Sequence, residues 1–126
     1  PQDVAVADVL RAKTMFDTLK IPVAGVIENM AGFTPPGGGD PIPLFGQGGG
    51  EKASQRLGVP LIGQLPIDAR VSNQGDEGTP VVLADPQSDI ALKMLELAQN
   101  VAGRLSVLAL ERSASTAAGS IHVDHR

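Results

Sequence analysis

The chain has 126 residues, a formal net charge of -4 and 42% hydrophobic residues, which suits one domain or a piece of one and gives no electrostatic reason to expect nucleic acid as partner. Three Phe with no Trp or Tyr leave no base-stacking platform of the single-strand-binding kind, and no apolar run approaches the ~20 residues that cross a bilayer. The absence of cysteine removes disulfides and thiolate metal sites and fits a cytoplasmic setting.

The chain opens with Pro1-Gln2-Asp3. It has no initiating Met and no basic-then-apolar leader, and is expected to begin in the middle of a larger protein. Residues 3–20 read as a helix, with Ala5, Val9, Ala12, Phe16 and Leu19 on one face, Asp3 placed to cap its start or favour its positive end, and Lys20 near its other end. Ile21-Pro22 stops it. Residues 22–29 read as a strand whose unbroken run Val23-Ala24-Gly25-Val26-Ile27 predicts burial on both faces, as in a parallel sheet covered by helices.

Residues 31–50 form a long Gly- and Pro-rich loop, of the kind that is functional or mobile in compact domains. A short helix over 51–57 follows, with Gly58 ending it in the left-handed conformation. Residues 59–65 give a second strand, closed by Pro66, and Asp68 caps a short helix to about Gln74. Residues 80–84 read as a weaker strand or extended segment. The clearest helix carries the stripe Ile90, Met94, Leu97, Ala98, Val101 and Leu105, with Asp85-Pro86 or Ser88 as its start. From about Glu111 the residues predict a disordered tail over 111–126, leaving 1–110 as the folded part. The alternation of helices and strands predicts an α/β layered fold with a mostly parallel sheet. Two or three strands are few for a doubly wound domain, so further strands are expected upstream of Pro1.

Three constellations bear on chemistry. Gly46-Gln47-Gly48-Gly49-Gly50-Glu51-Lys52 superficially suggests a phosphate loop, but Glu51 stands where Gly is needed, and Ala53 where a Ser or Thr hydroxyl would meet Mg²⁺. A flexible helix entry is the better account. Asn29 lies at the C-terminal end of a strand, where open α/β sheets bind ligands. Its amide can pair with an adenine edge, although on residue type alone a turn-tolerating Asn is the better account. Pro66, Ile67 and Asp68 occupy the equivalent place after the next strand, where a strand-end proline and an ordinary helix cap suffice. His122, Asp124 and His125 have metal-capable side chains in a tail without a framework to fix them.

The segments Pro1-Gln2-Asp3-Val4-Ala5 with Ala7-Asp8-Val9, Gly25-Val26-Ile27-Glu28-Asn29-Met30, Phe45-Gly46-Gln47-Gly48-Gly49-Gly50, Leu57 to Gly63 with Leu65-Pro66-Ile67-Asp68, and Gly75 to Pro80 with Asp85-Pro86 together resemble the Mrp-type (ApbC-type) proteins of the MinD/ParA group of deviant P-loop ATPases. The resemblance runs in register over about residues 1–105. It implies the C-terminal part of an incomplete three-layer P-loop NTPase-like fold, in a homodimer that binds ATP with Mg²⁺ and transfers iron–sulfur clusters to apoprotein recipients. It also implies that Asn29 contacts adenine and that Pro66, Ile67 and Asp68 line the base pocket.

The sequence departs from that family at Phe33-Thr34-Pro35-Pro36-Gly37-Gly38-Gly39-Asp40. Many relatives there hold a [4Fe-4S] cluster through Cys-x-x-Cys, which this chain lacks. The family's phosphate loop and Mg²⁺-binding Asp are also missing, so the intact family member would be an ATPase and this segment alone is expected to be inactive. Two alternatives are a MinD/ParA-type positioning ATPase, for which residues 113–126 show no amphipathic membrane stripe, and a non-catalytic interaction module.

Overall fold

Local sequence sets most of the element boundaries. The computed structural model describes residues 1–36 and 38–119, so the His122-x-Asp124-His125 motif and the last part of the expected tail lie outside the described residues. Helix α1 spans Asp3–Thr18 and ends where Lys20 takes φ +55. Asp3 lies in the first turn, where its charge favours the positive helix end, but it is not the cap: Gln2 holds that position without a side-chain bond, and the Asp3 carboxylate accepts from Lys52 Nζ at 2.9 Å. Strand β1 is Val26–Glu28, shorter than the apolar run around it, and α2 is Gly49–Leu57 with Gly58 ending it at φ +66. Strand β2 is Leu61–Gln64. Helix α3, Ala69–Asp76, is capped by Asp68, whose carboxylate accepts from the Arg70 N–H.

Strands β1 and β2 pair in parallel, Val26 opposite Leu61 and Glu28 opposite Gln64. With helices packed against them, they form the incomplete α/β arrangement that the alternation predicts. The expectation of burial on both faces fails at Ile27, which is 45% exposed. Strand β2 pairs with one edge of β1 and α2 packs on one face, and no other described helix packs against β1.

Residues 80–84 are helical rather than extended. Helix α4 is Val81–Ala84. The carbonyl of Pro80 accepts from the N–H groups of Leu83 and Ala84, and Val81 is buried. Its β-branched pair suggested a strand, but no sheet edge is within reach, and a single turn satisfies those backbone groups instead.

Helix α5 spans Asp89–Gly119. Ser88 provides its start, with its carbonyl accepting from Leu92 N and its hydroxyl donating to Asp85 O. The helix runs past Glu111, where the sequence predicts disorder, as far as the described residues go. The hydroxyls of Ser113, Ser115 and Thr116 bond back to the carbonyls four residues earlier. Ala and Glu favour helix without tertiary help, so the missing apolar stripe removes packing but not the helix.

Few side chains among the described residues are buried: the apolar Val6, Ala53, Val81, Ile90 and Ala91, and the polar Glu28 and Ser88. The helical stripes predicted from spacing are only partly covered. In α1 the buried residue is Val6, while Val9 and Leu19 stay exposed; in α5 Ile90 is buried and Leu105 exposed. The chain, of 13.0 kDa, exposes 8860 Å², where a compact monomer of that mass exposes about 6,300 Å².

Candidate functional site: the C-terminal edge of the sheet

The site is built by an irregularity in the strand pair. Leu65 N donates to Glu28 O at 2.8 Å, and Leu65 O accepts from Ala31 N at 2.9 Å. In a regular parallel ladder that second bond would come from residue 30. One extra residue is therefore inserted at Asn29-Met30, a bulge of the kind that re-aims side chains beside sites. Met30 takes φ +59, and the Asn29 Oδ1 atom accepts from Met30 N at 2.9 Å. That bond is the local turn-forming role expected of Asn on residue type alone. It leaves the amide Nδ2 of Asn29 with no protein partner among the described residues.

Beyond the bulge the two segments stay together. Ile67 N donates to Gly32 O at 2.7 Å, and Phe33 bridges both Ile67 and Ile42. Asn29 and the Pro66–Asp68 bend consequently sit side by side at the same end of the sheet. All four residues predicted from the sequence line one cavity of about 290 Å³, with Met30, Leu65, Val71, Ile90 and Met94 supplying most of its wall. Ile90 and Met94 were legible only as a helical core stripe. Nothing in one-dimensional spacing marks which end of that stripe meets the strand ends.

A larger groove of about 600 Å³ lies on the other side of the bend, between Thr34, Pro41 and the charged start of α5 at Asp89, Lys93 and Glu96. It shares Pro66, Ile67 and Asp68 with the smaller cavity but not Asn29. The smaller cavity is the better candidate for a planar heterocycle, because it combines apolar walls with the unengaged amide of Asn29.

Asp68 does not offer its carboxylate to the cavity. Its oxygens accept from Arg70 N at 2.9 Å and from Arg70 Nη2 at 2.6 Å, and Arg70 also reaches Asp85 at 3.2 Å. The hydrogen bond from the Arg70 guanidinium holds the Asp68 carboxyl below its ordinary value, and the same pairing raises Arg70. Asp68 thus contributes its backbone and its place in the bend.

The Gly-rich helix entry is also accounted for. A Cβ on Gly49 would lie 2.2 Å from the Pro1 carbonyl oxygen, and one on Gly50 would lie 2.9 Å from Glu28 Cβ. These glycines let the start of α2 approach β1. The Gly50 N–H already donates to Glu28 Oε1 at 2.9 Å, so this helix end meets a protein carboxylate and not a phosphate. No group of three His, Cys, Asp or Glu side chains among the described residues is arranged to hold a metal ion, and no described helix is long and apolar enough to cross a membrane.

Residues 1–102 match the ParA family described as NUBPL iron-transfer P-loop NTPase. The chain is 41% identical over 111 residues to an iron-sulfur cluster carrier protein of Synechocystis, covering 87% of this chain and 31% of that protein. It is 39% identical over 108 residues to the iron-sulfur protein required for NADH dehydrogenase, mitochondrial, of Arabidopsis thaliana, covering 86% of this chain and 34% of that protein. A carrier protein of Deinococcus radiodurans is 41% identical over 110 residues, with 87% of this chain and 31% of that protein covered. The chain therefore spans about a third of the length of the curated relatives it matches.

Proposed function

The chain belongs to the ParA-type family of iron-transfer P-loop NTPases, and we propose that it forms the base-binding C-terminal part of an ATP-dependent iron–sulfur cluster carrier. The observation that carries this reading is the bulge at Asn29-Met30, which puts an unengaged amide beside the Pro66–Asp68 bend in a mostly apolar cavity. An adenine ring placed there has apolar surface for its faces and a donor for one ring nitrogen. The names of the relatives support the cargo.

The residues fit the base end of ATP and not its phosphate end. Lys52 is engaged with Asp3, and the N–H of Gly50 is taken by Glu28. No phosphate cradle is thereby formed here, and the proposal assigns Mg²⁺ and phosphoryl transfer to sequence outside these residues. Bound ATP supplies the free energy of its hydrolysis to the carrier. This segment's part is to orient the base. The residues do not fit a cluster: with no cysteine they offer no thiolate, and a [4Fe-4S] group would need other ligands. A cytoplasmic homodimer that delivers clusters to iron–sulfur apoproteins completes the proposal, on the strength of the family resemblance.

The test is ATP binding by the intact protein. Replacing Asn29 by Ala is expected to weaken ATP about tenfold, the cost of one hydrogen bond of ~1.4 kcal/mol, while inorganic triphosphate binding is unchanged. Unaltered ATP affinity would remove Asn29 from the pocket.

A further inference from the structure

We infer that Glu28 is the residue that positions Asn29, acting through a carboxylate clamp between the two strands and the start of α2. For its functional consequence this rests on the base-pocket reading above, but the clamp itself is a matter of geometry. Glu28 is 5% exposed, in a chain where few polar side chains are buried. Both of its carboxylate oxygens have protein donors. Oε1 accepts from the backbone N–H of Gly50 at 2.9 Å, and Oε2 accepts from the side-chain amide of Gln64. The carboxylate also faces the positive end of α2. A buried carboxylate is costly unless its oxygens are satisfied, so the three segments are held together or the arrangement fails.

The position of the clamp gives it consequence. Glu28 is the last residue of β1, paired with Gln64 after a register shift between Val26 and Ile27, and the extra residue at Asn29-Met30 follows at once. Its carbonyl makes the final regular bond, from Leu65 N, and its side chain locks the same residue to α2. The bulge starts from this anchored residue, and Asn29 forms part of the cavity wall beside the Pro66–Asp68 bend. The clamp also fixes where the Gly-rich loop over 31–48 ends, because Gly49 and Gly50 sit against Pro1, Glu28 and Leu61 with no room for a Cβ. Both ends of that loop are set by one side chain.

The test is a double-mutant cycle in the intact protein, read by ATP and GTP binding and by amide hydrogen exchange. Glu28→Ala leaves the N–H of Gly50 and the amide of Gln64 without acceptors. It is expected to weaken ATP about tenfold, to reduce the preference for ATP over GTP, and to speed exchange at residues 29–32. If Glu28 acts through Asn29, Glu28→Ala combined with Asn29→Ala is no weaker than Asn29→Ala alone; independent structural effects would add. Glu28→Gln combined with Gln64→Glu restores an amide–carboxylate pair and an acceptor for Gly50, and is expected to recover both the preference and the slow exchange. This pair also serves where Glu28→Ala does not fold. Additive losses, or unchanged exchange at residues 29–32 in the Glu28 variants, would overturn the inference. Failure of the wild-type protein to bind ATP would overturn the base-pocket reading, and the exchange measurement would then decide the clamp by itself.

Discussion

At the C-terminal edge of the sheet, Glu28, Gly50, Gln64 and Leu65 are joined by hydrogen bonds between segments distant in sequence. Along the outer length of α5, apolar residues recur just as regularly, yet Leu105 and Leu110 are exposed at 53% and 71%. Even there the helix is tied down at points: Arg104 Nε donates to Ala24 O at 3.0 Å, and Asn100 to Ile62 O at 3.4 Å. The difference lies in what each region has to pack against. Apolar periodicity gives a helix a face, but burial requires a second layer, and the strand segments reach α5 only as far as Asn100 and Arg104. The near end of that helix consequently shapes the cavity, and the far end shapes nothing described.

The largest expected effects separate the two regions directly. Ile90→Ala removes a side chain that is 2% exposed, and should cost about 3 kcal/mol in denaturant unfolding of the intact protein. Leu105→Ala should cost below about 0.5 kcal/mol. An equal loss at Leu105 would break the comparison, because it would mean that another layer covers the outer helix. Gly49→Val tests the close approach at the sheet edge. Its Cβ would overlap the Pro1 backbone, and a loss of about 3 kcal/mol is expected by the same measurement.

A smaller effect belongs to the cap of α3. Asp68→Ala should destabilise by about 1 kcal/mol at neutral pH, with Asp68→Asn retaining most of the cap. The sign of its pH dependence follows from Arg70, which holds the folded carboxyl below its ordinary value. The stabilisation is fully present above the unfolded value of about 3.9 and is lost as pH falls through the lower folded value. The difference between wild type and Asp68→Ala should therefore shrink in acid, and a difference that grew there would contradict the pairing. The smallest effect sharpens the contrast from the other side. Gly103 lies in the middle of α5 with no atom near its missing Cβ, so Gly103→Ala should stabilise by about 0.5 kcal/mol, read as a modest rise in Tm.

The sequence by itself determined the locally encoded features. Gly58 ends α2 because it alone adopts φ +66 without cost. Asp68 caps α3 because a carboxylate two residues before an N–H reaches it. Asn29 and the Pro66–Asp68 bend were legible as strand-end positions, and the family motifs named them together. Three features were decided only in three dimensions. Residues 80–84 carry strand-forming side chains, but no sheet edge lies within reach and they close into a turn of helix. Residues 111–119 lack an apolar stripe yet continue a helix that starts at Asp89, because a helix anchored at its packed end needs no new nucleus to propagate. Glu28 stood inside the family-like segment Gly25 to Met30, but nothing in the local pattern gave it a role. Its role depends on Gly50 and Gln64, 22 and 36 residues away, and a partner at that distance is chosen by tertiary packing, which local pattern does not encode.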